Sequence, residues 1–297
     1  DWKNGAWVRY EDSSGLGSDT GGIDSSISLE VSTQVQAPPF LLEPGMTAAW
    51  FDPDHDGEGF LLEMLAGNAA VMYWYTYDDT GQQDWYVSRG DVRGNRVEFT
   101  ALYRVSGGEF GPGFDPEKIR RQVVGSASFV WSGCDSGSMN YRIGAQHGRM
   151  RLKRLTALMG LDCGQPSLPP ELPQGRLSGS WYDPSHDGEG YNVEVLNNGQ
   201  AVVYWFSYDP AGRRRWFFGL GEIRGTTLVF DDMLTSRGAI FGPDFDPASV
   251  ELAPWGRLEL DLDCNVGTAT YASTEPGFGS GVLNVKRVTR IDTLDCE

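Results

Sequence analysis

The side chains that could do chemistry are concentrated in two short stretches, DPDHDGEGFLLE at 52–63 and DPSHDGEGYNVE at 183–194. Calcium loops place oxygen ligands at positions 1, 3, 5 and 12 and a turn-forming Gly at position 6. In the first stretch those places hold Asp52, Asp54, Asp56 and Glu63, with Gly57; in the second they hold Asp183, Ser185, Asp187 and Glu194, with Gly188. A short acidic turn gathers several hard oxygens at low entropy cost, so calcium is the cofactor this pattern would take. Two features depart from an EF-hand. The residues after Gly59 and Gly190 alternate like a strand, and Pro occupies the second loop position. The competing reading is an Asp-Gly turn whose carboxylates cap backbone N–H groups.

His55 and His186 share one slot of this turn, whereas His147 has no counterpart. A His among carboxylates keeps its proton longer and could serve as a general base. No Ser or Cys nucleophile motif accompanies either one, which favours an exposed turn histidine. Asp56 with Glu58, and Asp187 with Glu189, are the kind of pair a glycosidase needs across a sugar, but a spacing of two on one turn does not set their separation. Nearby aromatics divide by role. Trp74, Trp205, Trp85 and Trp216 read as core, while Tyr73, Tyr77, Tyr204 and Tyr208 could present hydroxyls to a sugar or peptide. No catalytic residue is assigned, and the chain reads as non-enzymatic.

These residues recur because the chain contains one domain twice. WFDPDHDGEGF from Trp50 and WYDPSHDGEGY from Trp181 are 131 residues apart. The same offset relates Trp74 to Trp205, Trp85 to Trp216, and FGPGFDP (110–116) to FGPDFDP (241–247). The copies span 46–163 and 177–296. The four prolines of GQPSLPPELPQGR, 164–176, predict a semi-stiff linker between two independent modules. The cysteines repeat as well, Cys134 with Cys264 and Cys163 with Cys296, so the repeat selects the disulfides Cys134–Cys163 and Cys264–Cys296. No C-x-x-C occurs to favour zinc. Disulfides imply an oxidising compartment.

Strands dominate both copies. Segments 69–77 and 201–208 are apolar on both faces, which predicts a central strand packed on two sides. Arg257, Glu259 and Asp261 alternate with Leu258, Leu260 and Leu262, the pattern of a half-buried strand. DDTG (78–81) and DPAG (209–212) are tight turns. Each copy accommodates seven or eight short strands, so the expected fold is all-β: two tandem homologous antiparallel β-sandwich or barrel modules, each with one disulfide. Residues 1–45 form an extension outside both copies. Within it, Ile27, Leu29, Val31, Val35 and Ala37 alternate with polar residues, predicting a strand over 27–37. That strand must add to a sheet, in cis as the favoured case or in trans as self-assembly.

The 297 residues carry a formal charge of −17, a field that repels nucleic acid and anionic membrane surfaces. No apolar run approaches the length of a membrane-spanning helix. No signal peptide is visible, and Asp1 reads as a mature or trimmed start.

The strings W-[FY]-D-P-x-x-x-G-E-G-[FY], Y-W-[FY]-[ST]-Y-D-x-x-G-x-x-x-W and F-G-P-x-F-D-P resemble a repeat of secreted and surface proteins of Proteobacteria. The resemblance covers both copies and excludes residues 1–45. It implies an extracellular all-β module and brings no catalytic residues. A widespread relative of the first string reads like W-W-N-P-x-x-S-G-x-G, and the chain departs from that relative at Asp52, Asp56, Asp183 and Asp187. The expected protein is therefore secreted, surface-bound or periplasmic, with a non-catalytic structural, adhesion or binding role toward a protein or glycan partner at the cell surface. Two alternatives stand beside it: a carbohydrate-binding or carbohydrate-cleaving protein, and an accessory subunit of a larger periplasmic or outer-membrane complex. Non-reducing peptide mapping should link Cys134 to Cys163 and Cys264 to Cys296; any link between copies would overturn the pairing.

Overall fold

The computed structural model of the protein describes residues 2–3, 6–7, 40–165 and 173–294. The 27–37 strand, much of the linker and Cys296 lie outside the described residues. In the N-terminal unit, β1 (Trp2–Lys3) pairs antiparallel with β2 (Ala6–Trp7).

The rest of the chain forms two closed eight-stranded antiparallel barrels in tandem. The first runs β3 (Ala48–Phe51), β4 (Gly59–Leu65), β5 (Ala69–Tyr77), β6 (Gln83–Arg93), β7 (Arg96–Ser106), β8 (Arg120–Gly133), β9 (Ser136–Ile143) and β10 (Gln146–Arg154). The second repeats it with β11 (Gly179–Tyr182), β12 (Gly190–Val195), β13 (Gln200–Tyr208), β14 (Arg214–Arg224), β15 (Thr227–Arg237), β16 (Glu251–Leu262), β17 (Val266–Ser273) and β18 (Ser280–Arg287). Each is an up-and-down meander. It closes by pairing last strand with first, Lys153 opposite Phe51 and Arg287 opposite Trp181. Closure removes the edge strands that a sandwich would leave. Cys134 and Cys163 are joined by a disulfide, and the Cys264–Cys296 pairing falls outside the described residues with Cys296.

Period-two alternation fills each barrel. Trp50, Phe60, Trp74, Phe99, Phe129 and Trp131 point into the first; Trp181, Trp205, Phe230 and Trp255 point into the second, with Leu258, Leu260 and Leu262. Strands β5 and β13 are apolar on both faces for a specific reason. Their inward residues pack each barrel, and their outward aromatics, Tyr73, Tyr75 and Tyr77 with Tyr204, Phe206 and Tyr208, pack one barrel on the other. Trp85 and Trp216 also belong to this junction and not to a barrel interior.

The expectation of two independent modules on a spacer is corrected by the FGPxFDP loops. Phe110 of the first copy enters the mouth of the second barrel, against Trp205, Trp255, Tyr271 and Phe278. Phe241 of the second copy enters the first, against Trp74, Tyr86 and Tyr141. Both are only 6% exposed. Backbone bonds lock the exchange: Phe110 N donates to Asp209 O and Phe241 N to Asp78 O, both over 3.2 Å. Each barrel is therefore plugged by its neighbour. Phe110→Ala should cost about 3–5 kcal/mol of stability. Hydrogen exchange should then rise chiefly in residues 179–287, whereas Phe241→Ala should loosen 48–154; effects confined to each variant's own barrel would contradict the exchange.

Candidate functional site

The acidic turns lie at this junction. After β3 the chain makes one 3-10 turn, Pro53–His55, started by Asp52. Asp52 Oδ1 accepts from Asp54 N over 3.0 Å and Oδ2 from Arg151 N of β10 over 2.8 Å. Asp183 does the same with Ser185 N and Asn284 N, both at 2.8 Å. These are the caps that the competing reading of the motif described. The other acids disperse. Asp54 pairs with Arg151, Asp56 is exposed, and Glu63 is buried in β4 against Ser180 of the second copy. Among the described residues, no three carboxylates of either proposed calcium set bring their oxygens within 4.8 Å of one another.

Gly57 and Gly188 have φ of +113° and +132°. They are also pressed across the junction: a Cβ on Gly57 would lie 2.6 Å from Val250, and one on Gly188 2.7 Å from Ile119. Positive φ and close approach each require glycine here.

The histidines are not exposed turn residues. His55 Nδ1 lies 2.7 Å from Glu58 Oε1, and its ring stacks on Phe245 of the other copy at 4.9 Å and 8°. His186 repeats this with Glu189 at 2.7 Å and Phe114 at 4.6 Å and 9°. Glu58 is buried and also accepts from Thr76 Oγ1, as Glu189 does from Ser207 Oγ. The hydrogen bond to Glu58 raises the His55 pKa against partial desolvation. At His186 desolvation opposes the proton, yet Glu189 and Asp183 prevail and the pKa is again raised.

The tyrosines singled out for ligand contact lie in the junction. Tyr77 is fully buried, its hydroxyl 2.7 Å from Ser236 Oγ and 3.0 Å from Gly57 O. Tyr208 is likewise buried on Gly188 O. Tyr73 stacks on Phe206 and Tyr204 on Tyr75. Polar residues outside the motifs tie the same seam. Buried Asp84 pairs with Arg104 at 2.5 Å and, across the junction, with Arg214. Arg215 Nε donates to Gln83 Oε1 over 2.8 Å. The signal for these was present in the repeat, where QQDW (82–85) becomes RRRW (213–216) in an acidic chain.

No protein-family model and no curated protein matches this chain. Among the described residues no helix is long and apolar enough to cross a membrane.

Two clefts flank the central aromatic stacks, related by the repeat and each about 470 Å³. Cleft A is walled by Phe51, Phe60, Tyr204, Trp216 and Phe218, with Asp56 and Glu58; cleft B includes Trp85, Phe206, Arg121, Arg287, Asp187 and Glu189.

The junction has one polar and one apolar half. On one side Tyr75 donates to Asn192, Asn192 Nδ2 donates to Ser180 Oγ over 2.8 Å, and Ser180 Oγ donates to Glu63 over 2.7 Å. The repeat-equivalents of Tyr75, Asn192 and Ser180 are Phe206, Leu61 and Ala49. Glu194, the counterpart of Glu63, consequently completes no carboxylate hydrogen bond of good geometry among the described residues. Burial pushes its pKa up to about 8, against the pull of the nearby Thr156 hydroxyl. A carboxyl raised on folding holds a proton that the unfolded chain releases near pH 4.5, so stability declines between about pH 5 and 8. The raised His55 and His186 act in the same direction, since their contribution is complete below pH 6.5 and is lost as pH rises through their folded values. Glu194→Gln should match the wild type at pH 5 and exceed its Tm by about 5 °C at pH 9. Parallel wild-type and variant Tm curves across that range would refute the assignment.

Proposed function

We propose that the protein is a non-catalytic binding module of an oxidising compartment, in which two barrels act as one body and their junction is the binding surface. Cleft A carries the reading: a preformed cavity with aromatic walls and few polar groups is the usual character of a site for a small molecule or a partner's side chain. The repeated turns support it from another direction. Each histidine is held by a glutamate and a stacked phenylalanine, so it serves packing between the copies. The Cys134–Cys163 disulfide agrees with a secreted, surface or periplasmic setting.

The test uses 1-naphthylmethanol, a neutral fluorescent probe small enough for cleft A. It should bind saturably at one site, and Leu252→Trp, which crowds the wall at an exposed position, should weaken binding at least about tenfold, or 1.4 kcal/mol. Absence of saturable binding, or binding indifferent to this variant, would remove cleft A as the site.

A further inference from the structure

The two clefts share an ancestry and differ in charge. Cleft B is lined by two carboxylates, Asp187 and Glu189, and by two arginines, Arg121 and Arg287. Arg121 Nη2 donates to Asp187 Oδ1 over 2.8 Å across the junction, so the chain supplies its own cation at that carboxylate. Cleft A is lined by the matching carboxylates, Asp56 and Glu58, and among the described residues by no Lys or Arg. Leu252 stands at the repeat position of Arg121. Glu58 is engaged by His55 Nδ1 at 2.7 Å, and among the described residues Asp56 has no ion-pair partner. Arg154 and its counterpart Arg287 are held alike, over Trp50 and Trp181 and donating to Cys134 O and Cys264 O, so the cation that distinguishes the clefts is Arg121.

Resting on the reading of the junction as a binding surface, we infer that cleft A takes an organic cation: an ammonium or guanidinium group carried on an apolar frame. The ligand's charge replaces at Asp56 what Arg121 provides at Asp187. Its frame meets Leu155 and Leu252, each 58% exposed where they line the cleft, and gains by burying that surface. The faces of Trp216, Tyr204 and Phe218 attract a cation further. The net charge of −17 concentrates cations at the surface and repels anions. Cleft B, charge-balanced from within, takes no such ligand.

The matched probes are 1-naphthylmethylamine and 1-naphthylmethanol, which differ in the charged group. At pH 7 and low salt the amine should bind about fivefold or more tightly than the alcohol. Asp56→Asn should abolish that preference, and Asp187→Asn should leave it intact. Leu252→Arg, which supplies from the chain the cation present in cleft B, should weaken the amine and equalise the pair. About 0.5 M salt should narrow the gap as well. All three positions are exposed, and an unchanged Tm checks that the variants fold. Equal binding of amine and alcohol overturns the cation inference and leaves the binding reading standing. Saturable binding of neither probe overturns the binding reading itself. An amine preference that survives both Asp56→Asn and Leu252→Arg places the cation elsewhere and overturns the assignment to cleft A.

Discussion

The structure depends on the mutual insertion of Phe110 and Phe241. A barrel of eight short strands has two open ends, and an open end exposes its aromatic filling to water. Here the ring that seals each mouth comes from the other copy, seated among Trp205, Trp255 and Tyr271 in one barrel and Trp74, Tyr86 and Tyr141 in the other. Burial of a Phe is worth about 1.5–3 kcal/mol, and the exchange contributes it twice. The insertion also brings Phe114 and Phe245 over His186 and His55. The outer aromatics of β5 and β13 are thereby covered. Without the second barrel those tyrosines would form a large exposed apolar face, of the kind that folded monomers avoid.

This constraint gives the repeated motifs one common cause. The acidic turn, the Y-W-[FY]-[ST]-Y-D strand with its D-x-x-G turn, the second Trp and the FGPxFDP loop are scattered over each copy. All converge on the junction. Gly57 meets Val250, Tyr77 meets Ser236, and the Asp78 carbonyl meets Phe241 N. The motif residues that invited chemical readings, the carboxylates and the histidine, are here parts of a joint. Asp52 closes a turn onto β10, and Glu58 fixes His55 beneath Phe245.

A duplicated joint needs to be complementary without being identical. Where equivalent positions of the two copies come together, identical residues would set like against like, and there the copies differ in matched ways. Gln83 and Asp84 face Arg215 and Arg214. The chain Tyr75, Asn192, Ser180 and Glu63 is polar, whereas Phe206, Leu61 and Ala49 stand in the places of its first three members beside Glu194. The same divergence separates the clefts. One closes its charge with Arg121, and the other has an apolar side chain in that place.

The class of the fold, the duplication and the pairing of Cys134 with Cys163 were legible in the residues alone. These rest on local or periodic signals: alternation in residues 257–262, turn chemistry at DDTG and DPAG, and a constant offset between copies. The two-sided apolar strand 69–77 also announced that something covers its outer face. What covers it was decided only in three dimensions. A repeat states that two copies are alike and not that each completes the other, so Phe110 reads as an anchor of its own loop until its ring is found in the neighbouring barrel. The calcium reading shows the same limit. Ligand spacing along a chain defines a site only if the backbone folds into the loop that spacing assumes. Here a 3-10 turn and a strand carry Glu63 away from Asp52, because Leu62 and Met64 must face the barrel interior and Glu63 the junction.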